Sequence, residues 1–411
     1  MSRGSRVIGL LVVFGGGCGV EIIEHDGTED CGPDCVPAGA QLECVELLEG
    51  SIHNDVLDLL PSADEGWLAA GAVETESQTH GWVARFDAAG QQQWFTQVTL
   101  PEPGDVEVVD LAPALASNGG DAVWALAVSS TMDYLVQLDR DGAIASTVDL
   151  DTEAGFHVSA RAIESTSAGV WIAGTSQADM WLALYDPATA AVTTLLLEDH
   201  LGFNDEILAI TAVETGVAIA ATVSTSPNFD GDSLLTATTD ILVIHFDLQG
   251  SERSRTLLRA SSEPTFARRA MSISADPQGR WFVGGVQVPL VPGAEAQLWL
   301  ARVGADEAWE WTSEAVLDSV GFAGILAFDD GVLTAGGQLV PDGANTPSVH
   351  PWLGSVADGG ALRWQHVSEA SDYEHDEYKV LMRDAQGRVH AASKAWGGNG
   401  SSLLRSCRIS Q

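Results

Sequence analysis

An internal repeat constrains this chain more than any other feature of its sequence. From about residue 50 the same unit recurs: an apolar strand, a turn, a second strand, a polar loop, a third apolar strand ending in Asp, a Gly turn and a fourth strand. The clearest copy runs Gly66-Trp67-Leu68-Ala69-Ala70-Gly71, then Trp82-Val83-Ala84-Arg85-Phe86-Asp87, with Gly90 and Trp94 after the turn. Second-strand anchors fall at Trp67, Trp124, Trp171, Val217, Trp281, Val332 and Val389, successive anchors lying 46 to 64 residues apart. Short strands, turn residues at fixed offsets and a period of about 50 residues specify radially repeated sheets rather than a string of independent domains. The expectation is an all-β, seven-bladed β-propeller of four-stranded antiparallel blades over residues 38–411.

The residues inside the units fit that geometry. Ala69, Gly71, Ala173, Gly174, Gly284, Gly285, Ala335 and Gly336 are small where strands crowd together near an axis. Asp87, Asp139, Asp186 and Asp247 precede tight turns, where Asp bonds its own backbone. Because they recur at one offset per repeat, they read as turn formers rather than catalytic acids.

The seventh copy stops after its third strand, at the chain end. A ring must close or expose edges. The segment Ala38 to Val45 resembles the end of a repeat, so residues 38–49 are expected to complete the last blade and close the ring. That places Cys44 beside the strand carrying Cys407, and a bond there would contribute about 4 to 5 kcal/mol in the chain-entropy model. Cys31 and Cys35 would form the second disulfide. The competing arrangement pairs cysteines among Cys31, Cys35 and Cys44 and leaves Cys407 free.

The N-terminus carries an address. Arg3 and Arg6 precede the apolar stretch Val7 to Phe14, and Gly15 to Gly17 lead into Cys18, the layout of a secretory signal. Small residues running into a cysteine resemble the lipobox of bacterial lipoproteins, which implies residues 1–17 as signal peptide and Cys18 as the lipidated first residue. Gly19, in place of the Asp associated with inner-membrane retention, implies the outer membrane. Residues 18–37, rich in acids, Gly and Pro, read as a tether. Lipidation also accounts for the odd count of five cysteines. The Trp-containing units, with Gly90 to Trp94 and Gly360 to Trp364 keeping one offset, resemble the blades of bacterial propeller lipoproteins and, more distantly, quinoprotein-type blades. That resemblance covers roughly residues 39–411 and names no ligand.

Charge narrows the partners. With 19 Lys and Arg against 58 Asp and Glu the net charge is −39, and only two of the cations are lysines, Lys379 and Lys394. Loss of residues 1–17, with two Arg and no acid, would take it to −41. Such a surface repels nucleic acid and anionic headgroups. No apolar run reaches the 18 or so residues that span a bilayer, so the membrane is approached only through the lipid.

A search for chemistry yields weak signals. Asp372-Tyr373-Glu374-His375-Asp376-Glu377 gathers ligand-type side chains but reads as a solvated acidic loop. Asn228 to Ser233 alternates oxygen side chains yet lacks the twelfth-position Glu of a calcium loop. His245, on an apolar strand, reads as a packed or rim histidine. No catalytic residue, metal site or cofactor is assigned. The functional expectation is a non-enzymatic, monomeric envelope scaffold that binds a protein or glycan through loops such as Ser224 to Thr239, Gln287 to Gln297 and Gln338 to His350. The alternative is a hydrolase or lyase acting on extracellular polymer, recognisable by two acids converging at the channel mouth with raised pKa.

Overall fold

A computed structural model describes residues 41–50, 54–75, 77–102, 104–115, 122–200, 204–225, 238–259, 266–289, 296–304, 308–340, 348–368, 375–384, 386–396 and 402–410. Among the described residues β1 (Gln41–Gly50) comes first, and consecutive antiparallel sheets follow it. The first holds β2 (Asn54–Pro61), β3 (Trp67–Glu74), β4 (Thr79–Phe86) and β5 (Gln92–Gln97). The second holds β6 (Val106–Pro113), β7 (Val123–Ser129), β8 (Asp133–Leu138) and β9 (Ile144–Asp149), followed by a one-turn helix α1 (Leu150–Ala154). The third holds β10 (Ser159–Thr166), β11 (Gly169–Ser176), β12 (Asp179–Asp186) and β13 (Ala191–Glu198). The fourth holds β14 (Asp205–Val213), β15 (Gly216–Ser224), β16 (Thr239–Asp247) and β17 (Glu252–Leu258).

The fifth sheet holds β18 (Phe266–Ala275), β19 (Trp281–Pro289), β20 (Gln297–Val303) and the first half of β21 (Trp309–Phe328). The second half of β21 continues into the sixth sheet, with β22 (Gly331–Val340), β23 (Ser348–Ala357) and β24 (Leu362–Val367). To the same sheet belong β25 (His375–Arg383), β26 (Val389–Trp396) and β27 (Ser402–Ser410), with β1 outermost.

Among the described residues the blade count is therefore corrected from seven to six. The last two groups of strands, expected as separate blades, share one sheet. β24 is short and pairs only with Trp352 to Val356 of β23, which leaves the start of that edge open. There Val349 pairs in parallel with His375 of β25. The seven anchors nevertheless all lie on strands that follow a bulged first strand, as the repeat requires. The N-terminal strand pairs with β27 in antiparallel register, from Gln41↔Ser410 through Cys44↔Cys407.

Every first strand carries a β-bulge at the same place, as in Val56/Asp58, Val108/Asp110, Ile207/Ala209 and Tyr378/Val380. First strands pack side by side in a closed cycle, β2, β6, β10, β14, β18, β21, β25 and back to β2, so they form the inner wall of the ring. Opposite each bulge the second strand carries a small residue, for example Gly71, Ala127, Gly174, Ala221, Gly285 and Ser393. The reason is local. A Cβ on Gly71 would collide with the Asp55 carbonyl oxygen, and one on Gly285 with that of Arg269, because the bulge pushes this carbonyl across the ladder. Gly284, its neighbour, is small for the reason expected from crowding: Phe322 and Ile325 of the next sheet lie against it.

The core is divided into clusters that span adjacent sheets. Trp171 and Leu182 pack with Val217, Ile219 and Phe246 of the next sheet, and Trp67, Trp82 and Phe86 pack with Val380 and Met382 across the junction of first and last sheets. Buried tryptophans thus join sheets together rather than filling one central core. Tight turns close one rim. Asp139 Oδ1 accepts from the N–H groups of Asp141 and Ala143, at 3.0 and 2.9 Å. Asp87, Asp247, Asp276 and Asp384 repeat the arrangement. The turn-forming role read from the repeat holds.

Candidate functional site

Two regions concentrate polar groups: the inner wall and the rim on which the inner strands begin. On the wall, Asp58 of β2, Asp110 of β6 and Glu164 of β10 follow one another around three sheets. Asp58 Oδ2 accepts from the Leu111 N–H at 2.8 Å. Asp110 Oδ2 accepts from the Ile163 N–H at 2.6 Å, and Glu164 Oε2 from the Ala212 N–H at 3.1 Å. Each acid therefore serves a backbone donor on the inner strand of the next sheet. An inner strand is an edge strand, and its unpaired donors cost free energy unless a side chain reaches them. Further round, Ser272 Oγ and Ser274 Oγ do the same for the N–H groups of Ile325 and Ala327, at 3.3 and 3.0 Å.

This setting raises the acids' pKa. Burial pushes Asp58 up to about 6, against the opposing pull of its hydrogen bonds to Asp110, Leu59 and Leu111. Asp110 lies well above the ordinary carboxylate range because of burial first and the Asp58 charge second. Burial takes Glu164 to about 7. All three side chains retain some solvent contact, yet protein surrounds them closely enough for desolvation to prevail. A hydrogen bond between the Asp58 and Asp110 carboxyls requires a proton shared by the pair. Two more acids, Asp133 and Asp205, are pushed to about 6 by burial. Asp133 Oδ2 accepts from the Ala160 N–H at 2.6 Å, and the two Asp205 oxygens accept from His200 and Ser224.

Acids with raised pKa do converge, as the enzyme reading requires, but their geometry is structural. Asp58 and Asp110 hydrogen-bond directly, without the separation of about 5 Å or more that glycosidase carboxylates keep. Each oxygen is committed to a neighbouring backbone, and the arrangement recurs along successive sheets. The sequence reading missed these residues. The repeated strings Val56-Leu57-Asp58-Leu59 and Val108-Val109-Asp110-Leu111 carried the signal.

The rim holds the ties between sheets. Arg269 Nε and Nη2 donate to the two Glu206 oxygens at 2.6 and 2.8 Å, linking the fifth sheet to the fourth. Lys394 Nζ donates to Asp55 Oδ2 at 2.8 Å, linking last to first. Thr239 Oγ1 bonds both backbone groups of Arg268, whose Nε donates to Gln287 Oε1 at 3.1 Å. The expected acidic loop is corrected here: Asp376 and Glu377 are buried at the start of β25, where Glu377 pairs with Lys379, while 371–374 lie outside the described residues. His245 is buried, bonded to Thr215 Oγ1 at 2.9 Å and edge-on to Trp281, as a packed histidine should be. Cys18, Cys31, Cys35 and Asn228 to Ser233 lie outside the described residues.

Comparison with known proteins places the fold. No family model matches the chain, and no curated protein matches it. Among solved structures, a protein of unknown function from Dyadobacter fermentans is similar with a TM-score of 0.54 at 9% identity, over 92% of this chain and 100% of that one. The Dos1 propeller gives 0.49 at 8% identity over 89% and 94%. A putative 6-phosphogluconolactonase from Bacteroides uniformis gives 0.47 at 12% identity over 82% and 94%. The chain is a repeat-built β-propeller, and at such identities the likeness concerns the fold alone.

Proposed function

We propose that this propeller is a bacterial cell-envelope lipoprotein, anchored through Cys18 by an acidic tether and acting as a monomeric binding scaffold for a protein or glycan partner. The observation that carries the binding reading is an asymmetry of the ring. On one rim most connections are tight, many of them Asp-Gly turns, with Pro113 to Val123 the longer exception. On the other, connections widen over consecutive sheets, from Ser224 to Thr239, Pro289 to Gln297 and Val340 to Ser348, whereas the first three sheets turn there within Glu74 to Thr79, Ser129 to Asp133 and Ser176 to Asp179. Long connections carried by adjacent sheets of a rigid support are a usual place for recognition residues. The commitment of the raised-pKa acids to backbone donors favours recognition over hydrolysis as the work of this ring.

The anchor is tested by intact mass of membrane-extracted protein, where acyl chains on residue 18 should appear and vanish in Cys18→Ala. Binding is tested by a glycan array and by in-cell cross-linking, repeated after residues 226–237 are replaced by a short Gly-Ser linker. A partner whose binding weakens at least tenfold supports the reading. Partners captured equally well without the loop would refute it.

A further inference from the structure

We infer that Cys44 and Cys407 form a disulfide that closes the ring covalently. The two residues sit directly opposite one another in the antiparallel β1–β27 pair. Three uninterrupted pairs, Gln41↔Ser410 to Glu43↔Arg408, lie on one side of them, and two on the other before the shift between Glu46 and Leu48. Directly opposed residues of an antiparallel ladder have Cα atoms about 4.5 to 5.5 Å apart and share one face of the sheet. That separation falls inside the span of about 4.4 to 6.8 Å that a disulfide bridges. Register makes the match specific. A slip of one residue would set Cys44 against Ser406 or Arg408 and transfer it to the opposite face from Cys407. On its other flank Cys407 pairs with Ala391, the smallest neighbour that still has a Cβ.

The position gives the bond a purpose. Among the described residues β1 pairs only with β27, and in the chain it directly follows the proposed tether. Any pull on a lipid anchor would load this edge strand first. A bond between residues 44 and 407 joins the two ends of the ring and turns edge-strand peeling into a covalently opposed event.

The chemistry needs a disulfide oxidant, such as glutathione disulfide. The thiolate of one cysteine attacks it, forming a mixed disulfide and releasing one glutathione thiol. The second cysteine thiolate then displaces the other glutathione. Two cysteine hydrogens leave as protons, and the two electrons reside in the two glutathione thiols formed. The inference rests on the proposed export only for where the oxidant is met in the cell.

The test uses the purified full chain, reduced and then equilibrated under native conditions with glutathione disulfide. The expected result is a Cys44–Cys407 cross-linked peptide after proteolysis, and loss of alkylation at both residues. Reduction should lower the thermal midpoint by about 5 °C in the wild type, whereas Cys44→Ser stays at the reduced value in both states. Linkage of Cys44 to Cys31 or Cys35, or a Cys407 that remains alkylated, overturns the inference. Thiols trapped by alkylation in intact cells report export separately: reduced cysteines there, with the bond forming in vitro, would sink the envelope reading and leave the pairing standing.

Discussion

Asp58→Asn tests the account of the inner wall most directly. In the wild type the Asp58 carboxyl titrates at about 6 instead of 3.8. A shift of that size corresponds to about 3 kcal/mol at 1.36 kcal/mol per unit. Residual solvent contact reduces the realistic contribution to about 1–2 kcal/mol. The sign follows from proton uptake. Between pH 4 and 7 the folded protein binds more protons than the unfolded chain, so stability falls as pH rises through that window. In Asp58→Asn the amide oxygen still accepts from the Leu111 N–H, and the amide nitrogen donates to Asp110 without needing the shared proton. At pH 8 the variant should therefore equal or exceed the wild type by about 1–2 kcal/mol, and at pH 5 the two should converge. Urea unfolding followed by tryptophan fluorescence at both pH values reads this difference. The wild-type slope should shrink without vanishing, because Glu164, Asp133 and Asp205 titrate in the same window. A variant destabilised by more than about 1 kcal/mol at pH 8, or one with an unchanged slope, would show that the pair does not share a proton.

Gly285→Ala should cost about 2–4 kcal/mol, since the new methyl meets the Arg269 carbonyl, whereas Gly104→Ala, with no heavy atom within 4 Å, should be near neutral. Thermal melts of the two variants side by side decide between a steric and a generic glycine effect. Lys394→Met should destabilise by about 3 kcal/mol by leaving Asp55 without its cation, and Asp55→Asn in the same chain should recover part of that; a double-mutant cycle with no coupling would remove this tie from the ring closure. Asp139→Ala frees two turn N–H groups to water and should cost about 1 kcal/mol in urea unfolding, with no change in oligomeric state by light scattering.

Much of the architecture could be read from residue order. The anchors from Trp67 to Val389, the Asp-Gly turns and the supply of the last strand by the N-terminus all express local rules, period-two burial and turn chemistry, that neighbouring residues obey wherever they stand. The blade count could not be read that way. Whether two strand groups remain apart depends on how far β24 covers the edge of β23, and the parallel Val349↔His375 contact that fuses them joins residues with no common sequence signature. Small second-strand residues were legible as crowding, but their cause was not, because the offending carbonyls belong to bulges that appear only once the strands are paired.

The candidate site divides along the same line. Sequence by itself determined that the chain builds a ring from repeated sheets, that its surface carries strong negative charge, and that Cys44 and Cys407 belong to its two ends. Tertiary structure decided which acids leave that surface. Asp58 and Asp110 share a repeated local string, but nothing in it says what surrounds them, and only the juxtaposition of inner strands about 50 residues apart in the chain gives them and Glu164 an orphan N–H to satisfy. The physical reason is that desolvation and backbone hydrogen bonding depend on what surrounds a carboxyl in space, whereas residue order specifies only what precedes and follows it.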